Sequence, residues 1–277
     1  MTGNIMSTTL PSVYIEPAFD TIAEEYDRLF TYSILGKAQR ALIHEELRKR
    51  FREGHRILDL NCGTGEDAVL MAAEGVSVLA CDVSKHMISV AWQKFASCGV
   101  TLPVTFAVCA NEQLDSLKSH GQFDGALSNF GGLNCTADLA QVRRALSDLI
   151  RPGGEVLLCM LGRFCAWEIF WHATHGRWNK AFRRMKAGGT DARIGGTTIR
   201  VYYPSVHKIQ TAFAPSFRLA SWRGIGVALP PSWMEYAFQE RPLFVELLTR
   251  IDRWLGAAPL FRGTADHILL RFVRESK

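Results

Sequence analysis

The sequence has no uninterrupted apolar run of the length a helix needs to cross a bilayer, which argues against an integral membrane segment. It also has no large excess of one charge. A net +5 spread over 277 residues gives no reason to expect nucleic acid as a partner. The seven cysteines are odd in number and lack metal-ligand spacing, so neither a disulfide framework nor a metal site is indicated. Cys62, Cys81, Cys109 and Cys159 sit in or beside predicted strands, as buried reduced thiols of a cytoplasmic protein would. There is no internal repeat and no low-complexity tract. Residues 1–17 lack the basic start and apolar stretch of a signal peptide, and their prolines and polar residues predict a flexible leader. What is present is ordinary for a globular enzyme: 48% apolar and 21% charged residues, enough to bury one large core over 18–277.

The most informative stretch is Arg56-Ile57-Leu58-Asp59-Leu60-Asn61-Cys62-Gly63-Thr64-Gly65-Glu66-Asp67. A short apolar run predicts a buried strand, a glycine turn follows, and Ala68 to Ala73 predicts a helix stopped at Gly75. Strand, tight turn and helix together present backbone N–H groups to a ligand at a helix N-terminus. Gly63-x-Gly65-x-x-Ala68 formally fits a dinucleotide fingerprint, which keeps a nicotinamide cofactor open. Asp59, however, precedes the glycines, and a carboxylate there suits a ligand carrying an ammonium group better than one carrying a pyrophosphate.

This stretch resembles the first motif of the class I S-adenosylmethionine-dependent methyltransferases, acid-x-Gly-x-Gly-x-Gly, with Asn61 in place of the first glycine. The resemblance implies a Rossmann-like α/β fold: a doubly wound, seven-stranded, mostly parallel sheet with an antiparallel last strand. It also implies S-adenosyl-L-methionine as cofactor, with Asp59, Asn61, Gly63 and Gly65 around its methionine end. Phe19 to Phe51 predicts a helix. In the family such a helix, with a Tyr-Asp pair matched here by Tyr26-Asp27, often covers the cofactor. Arg40 on it could reach the cofactor carboxylate, but a solvated helix arginine is the preferred reading.

Val76 to Asp82 predicts the second strand, and Asp82 lies about 20 residues past the turn, where a carboxylate takes two ribose hydroxyls. Val83 and Met87 follow it and are assigned to the cofactor as well. After a third strand, Val104 to Cys109, the family commonly places an acid near the adenine. Ala110 stands there instead, which leaves adenine contacts to backbone groups, Asn111 and Glu112. Phe123 to Asn134 then reads as a buried strand ending in a polar, glycine-rich loop, similar to the family's fourth motif. Asn129 and Phe130 would flank the sulfonium and Asn134 the acceptor. A helix, Pro152-Gly153-Gly154 and a fifth strand to Leu161 complete a resemblance running from Tyr26 to Leu161 in order.

Beyond Gly162 the pattern loosens, and an insertion over about 162–203 is expected to form part of a lid. Its aromatics at helical spacing make Trp167 and Trp171 candidate substrate-binding residues, weighed against simple packing. His172 is the candidate general base, with Tyr202 and Tyr203 orienting the acceptor. The expected activity is methyl transfer to a small-molecule acceptor, in secondary or specialised metabolism, leaving S-adenosyl-L-homocysteine. A nicotinamide oxidoreductase and an S-adenosylmethionine-binding protein without methyl transfer are the alternatives. The sequence leaves the acceptor and the oligomeric state open.

Overall fold

The computed structural model describes residues 18–276 apart from 98 and 100, so the leader expected over 1–17 lies outside the described residues. Helices α1 (Ala23–Tyr26) and α2 (Ile34–Arg50) precede β1 (Arg56–Leu60), α3 (Glu66–Ala73), β2 (Ser77–Asp82), α4 (Lys85–Ser97) and β3 (Val104–Val108). A 3-10 helix at Asn111–His120 leads to β4 (Phe123–Ser128), a short 3-10 turn at Gly132–Cys135, α5 (Leu139–Leu149) and β5 (Ile150–Leu161). Then come α6 (Ala166–Thr174), α7 (Trp178–Ala181), the hairpin β6 (Thr190–Ile194) and β7 (Thr197–Val201), and α8 (Val206–Phe213). The chain closes through β8 (Phe217–Ile225), α9 (Glu235–Phe238), α10 (Pro242–Leu255) and β9 (His267–Arg274).

Seven strands form one sheet in the order β3-β2-β1-β4-β5-β9-β8. Strand β9 runs antiparallel to both neighbours and the remaining pairs are parallel, which is the expected topology. The parallel strands are apolar along their length because both faces are covered. Leu58 and Leu60 pack on the side of α5 and α8, whereas Ile57 packs on the side of α2, α3 and α4. The order reverses between β1 and β4, the switch point where open α/β sheets bind ligands. Register aligns Leu60 with Cys81 on one side and Ser128 on the other. The residues just beyond (Asn61, Asp82 and Asn129) therefore emerge along one edge.

The single helix expected over 19–51 is broken. A 3-10 turn at Asp20–Ile22, α1 and a π turn at Asp27–Thr31 precede α2, and the chain bends at Ser33. The Ser33 hydroxyl caps α2 by accepting from the Gly36 N–H at 3.0 Å. Glu235, two hundred residues away, accepts from the N–H groups of Ile34 and Leu35 at 2.7 and 3.0 Å, placing a carboxylate at the positive end of the helix. A hydrophobic pattern cannot show a break made by backbone capping from a distant residue.

The stretch after β5 is anchored by a buried ionic cluster. Arg184 donates from Nε to Glu168 at 2.9 Å, from Nη1 to the carbonyls of Gly162 and Asp266, and from Nη2 to the Asp266 carboxylate at 2.7 Å. This ties α6 to the ends of β5 and β9. Burial alone would raise the Asp266 carboxyl, but the adjacent His267 ring and the Arg184 guanidinium more than reverse that and hold it well below the usual carboxylate range. A depressed folded pKa gives stability that is present above the unfolded value of roughly 4 and is lost as pH falls below it. Arg184→Ala should cost about 3–5 kcal/mol in a denaturant titration at pH 7, because two buried carboxylates lose the buried cation between them. The difference between variant and wild type should shrink in acid. A cost below about 1 kcal/mol would show that the cluster does not hold this stretch in place.

Candidate active site

The site is a cavity at the carboxyl edge of the sheet. Its floor is the glycine turn after β1. Asn61 adopts φ +55°, the left-handed region that asparagine tolerates better than most side chains, which is why it can stand where the family has glycine. Its side chain is fully engaged: Nδ2 donates to Asn111 Oδ1 at 3.2 Å, and Oδ1 accepts from the Ser128 hydroxyl at 3.0 Å. Asn111 Nδ2 in turn donates to Thr136 Oγ1 at 2.8 Å. A hydrogen-bonded chain thus runs under the cavity from β4, through the turn and the end of β3, to the loop beyond β4. Gly132 lets that loop pass Asn61, since a Cβ there would lie 2.3 Å from Asn61 Cβ.

The two motif glycines differ in what surrounds them. A Cβ on Gly63 meets nothing within 4 Å and would project into open space, whereas one on Gly65 meets Ala91 and the Phe106 ring at 3.0 Å. Gly63 lines the cavity; Gly65 lets α3 start close against α4 and β3. Asp82 accepts from the Gly63 N–H at 3.0 Å and the Ser84 N–H at 2.9 Å, one bond to each carboxylate oxygen. Each oxygen keeps a lone pair for a ligand hydroxyl. Burial raises its pKa, and those two N–H groups partly offset the shift.

The N-terminal segment contributes the facing wall, with Phe19 and Tyr26 lining the cavity. Carboxylates pin it at both ends. Asp20 accepts from the Ser84 hydroxyl and sits 3.0 Å from His86. Asp27 accepts from the Thr64 hydroxyl at 2.6 Å and pairs with Lys94 at 2.7 Å. Tyr26 packs between Phe19 and Phe30, and burial pushes its phenol up to about 12, so it stays a hydrogen-bond donor at neutral pH. The tip of the β6–β7 hairpin touches the same segment, since a Cβ on Gly195 would meet Thr21.

Of the residues expected at the cofactor, Tyr26, Asn61, Gly63 and Asp82 line this cavity. So do Val83 and Met87 after β2, Asn111 and Glu112 after β3, and Asn129 and Phe130 after β4. Asp59 does not. It is 1% exposed within β1, behind the turn, with Oδ2 unpartnered. Burial raises its pKa well above the ordinary value, and the nearby Asp67 adds to the shift. Its chemistry suggested an ammonium partner, but its carboxyl is buried near Asp67 and Arg40 and does not line the cavity.

Arg40 is not a solvated residue either. It is 7% exposed, 2.7 Å from Asp67, and its guanidinium lies 4.7 Å from the Phe130 ring centroid. Asn134 is fully buried, joining the carbonyl of Tyr202 to both backbone groups of Leu161, and so lies away from the cavity. Trp167 donates to the Ala228 carbonyl at 3.1 Å, and Trp171 packs against Trp233 and His175. His172 stacks on Trp233, its pKa lowered by burial and by the cations of Arg183, Lys180 and Arg177. None of these three lines the cavity. Tyr202 and Tyr203 line a second cavity beside it. Sequence reasoning missed Phe19, Cys135 and Thr136, which carry no motif signal; the Gly131-Gly132 pair did mark the loop.

Residues 57–154 match the family described as a methyltransferase domain. That match runs from β1 into β5 and takes in the glycine turn. Over 145 residues it is 32% identical to the tRNA 5-carboxymethoxyuridine methyltransferase of Escherichia coli (strain K12), covering 50% of this chain and 54% of that protein. It is 29% identical over 150 residues to a ubiquinone/menaquinone biosynthesis C-methyltransferase of Geotalea uraniireducens (strain Rf4), covering 52% and 61%. The chain thus spans a little over half the length of these relatives. Among solved structures, the S-adenosylmethionine-dependent methyltransferase from Mesorhizobium loti superposes with a TM-score of 0.51 at 19% identity, over 88% of this chain and 99% of that one. The [4+2]-cyclase SpnF superposes with a TM-score of 0.57 at 14% identity, over 96% and 99%. These likenesses describe the methyltransferase fold.

The surroundings of the two motif glycines lead to different expectations. Gly65→Ala should destabilise by about 2–5 kcal/mol, the left-handed backbone adding to the crowding at Ala91 and Phe106. Gly63→Ala should cost only the backbone term, about 1–2 kcal/mol. It should nevertheless weaken S-adenosylhomocysteine binding about tenfold or more. Paired thermal melts and calorimetric titrations separate the two, and an unchanged affinity for Gly63→Ala would take the turn out of the site.

Proposed function

We propose that this protein transfers a methyl group from S-adenosyl-L-methionine to a small-molecule acceptor. The observation that carries the reading is the cavity itself. It combines an open-sided glycine at the start of α3, a two-oxygen carboxylate at the end of β2, and walls drawn from both N-terminal anchor points. These residues fit the cofactor. Gly63 leaves room for the methionine end, Asp82 has free lone pairs for two ribose hydroxyls, and Val83 and Met87 offer an apolar bed for the purine. Asp82 would serve the adenosine ribose of a nicotinamide cofactor equally well, so the carboxylate does not separate the two.

When bound, S-adenosylmethionine supplies a methyl carbon already activated by its sulfonium, and the reaction is an in-line displacement at that carbon. The chain then has to align the acceptor and exclude water. Phe130 is held for this by its neighbours, edge-on to Phe30 at 4.8 Å and to His267 at 5.4 Å. Tyr26, protonated at neutral pH, can donate to the acceptor or the cofactor but cannot act as a base. With His172 outside the cavity, an acceptor that loses its proton to solvent suits this site best.

A small acceptor is favoured because Phe19 and Tyr26 of the N-terminal segment wall the cavity, and the hairpin tip of the 162–203 insertion reaches that segment at Thr21. That 162–203 insertion would act with the N-terminal segment as a lid. The relative that acts on tRNA matches about half of either chain, so its acceptor is not carried over. The test is a thermal-shift titration with S-adenosylhomocysteine and with NAD(H). S-adenosylhomocysteine should add about 2.7 kcal/mol of apparent stability at a hundredfold excess over its dissociation constant. Stabilisation by NAD(H) alone would overturn the reading, and a metabolite screen for methyl transfer then identifies the acceptor.

A further inference from the structure

A second cavity of about 290 Å³ adjoins the first and shares Thr136 with it. Three cations line it: Arg163 after β5, Lys186 before the hairpin and Lys208 in the first turn of α8. No carboxylate lines it among the described residues. The nearby cations that belong to other sites are neutralised, Arg183 and Arg184 by Glu168 and Arg200 by Asp191. By contrast, the one described partner of Arg163 is the Met185 carbonyl at 3.4 Å, which compensates no charge. Three like charges brought to one concavity from separate elements repel one another, and an anion between them relieves that repulsion.

The same cavity carries two phenols. Tyr202 is tied to the loop beyond β4, its N–H donating to the Asn134 carbonyl at 2.7 Å and its carbonyl accepting from Asn134 Nδ2 at 2.6 Å. The Arg184 guanidinium lies 5.5 Å from the Tyr203 ring centroid, which fixes that ring to the buried ionic cluster. Rigid aromatic walls with cations at hand suit a planar ligand that bears a negative group.

Resting on the methyl-transfer reading above, we infer that this second cavity binds the anionic end of the acceptor, a carboxylate or phosphate on a planar molecule, beside the cofactor cavity. A polynucleotide fits less well. It needs a basic track that follows a backbone, whereas these cations meet at a single concavity.

The test uses the full chain, with and without saturating S-adenosylhomocysteine. 4-Hydroxybenzoate, phenyl phosphate and the neutral methyl 4-hydroxybenzoate are titrated by NMR. At least one anion should bind about tenfold or more tighter than the ester, and the tighter of the two anions assigns the head group. Lys186→Glu and Lys208→Glu replace exposed residues and should leave the melting temperature in place. Each should abolish the preference for anions while leaving S-adenosylhomocysteine affinity unchanged. Equal binding of ester and anions would overturn the proposal. So would an anion preference that survives both reversals, or reversals that weaken only an RNA hairpin. Failure of S-adenosylhomocysteine to bind would instead count against the cofactor reading, while the anion preference measured without it still decides this one.

Discussion

The site depends on one buried carboxylate. Asp67, 6% exposed in the first turn of α3, accepts from Arg40 and His44 of α2, each at 2.7 Å, and from Asn129 Nδ2 at 2.8 Å. Through it the N-terminal helix, the helix that follows the glycine turn and the loop after β4 are held to a common point. Asn129 then accepts from the Phe130 N–H at 2.8 Å, which sets that residue in its left-handed conformation at φ +46°. The aromatic wall of the cavity is therefore positioned by an ion pair that does not itself line the cavity.

Two carboxylates near each other in a low-dielectric interior cannot both keep their charge cheaply. Burial would raise both. The cation of Arg40 and the hydrogen bond from His44 hold Asp67 well below the usual range, while Asp59, with one oxygen unpartnered, is pushed up. A negative charge is favoured on Asp67, opposite Arg40, and disfavoured on Asp59. The acid that looks most like a ligand group in the sequence is thus part of the core, and the paired carboxylate next to the turn belongs to a residue that no motif marks.

The N-terminal segment follows a similar logic. Its aromatics reach the cavity because Asp20 and Asp27 grip the turns after β2 and β1 from either end. Partly exposed ion pairs of this kind contribute little to global stability. What they contribute here is register, since they decide which side chains of a short, irregular stretch face inward. The break between α1 and α2 gives that segment its own direction.

By itself the sequence determined the sheet, its strand order by resemblance and the glycine turn, because apolar runs, glycines and terminal acids act locally and recur at short spacing. Asn61, Asp82 and Asn129 were legible for the same reason: each directly follows or ends a strand, so the register of the sheet alone brings them to one edge, with Gly63 in the turn beside them. Tertiary structure alone decided what Asp59, Asn134, Trp167 and His172 do. Each is a polar or aromatic residue whose role depends on its facing partner, and those partners lie in other parts of the chain: Asp67, Tyr202, Ala228 and Trp233. The second cavity belongs to the same class. Arg163, Lys186 and Lys208 are far apart in sequence, and only the path of the chain around the hairpin brings their charges together.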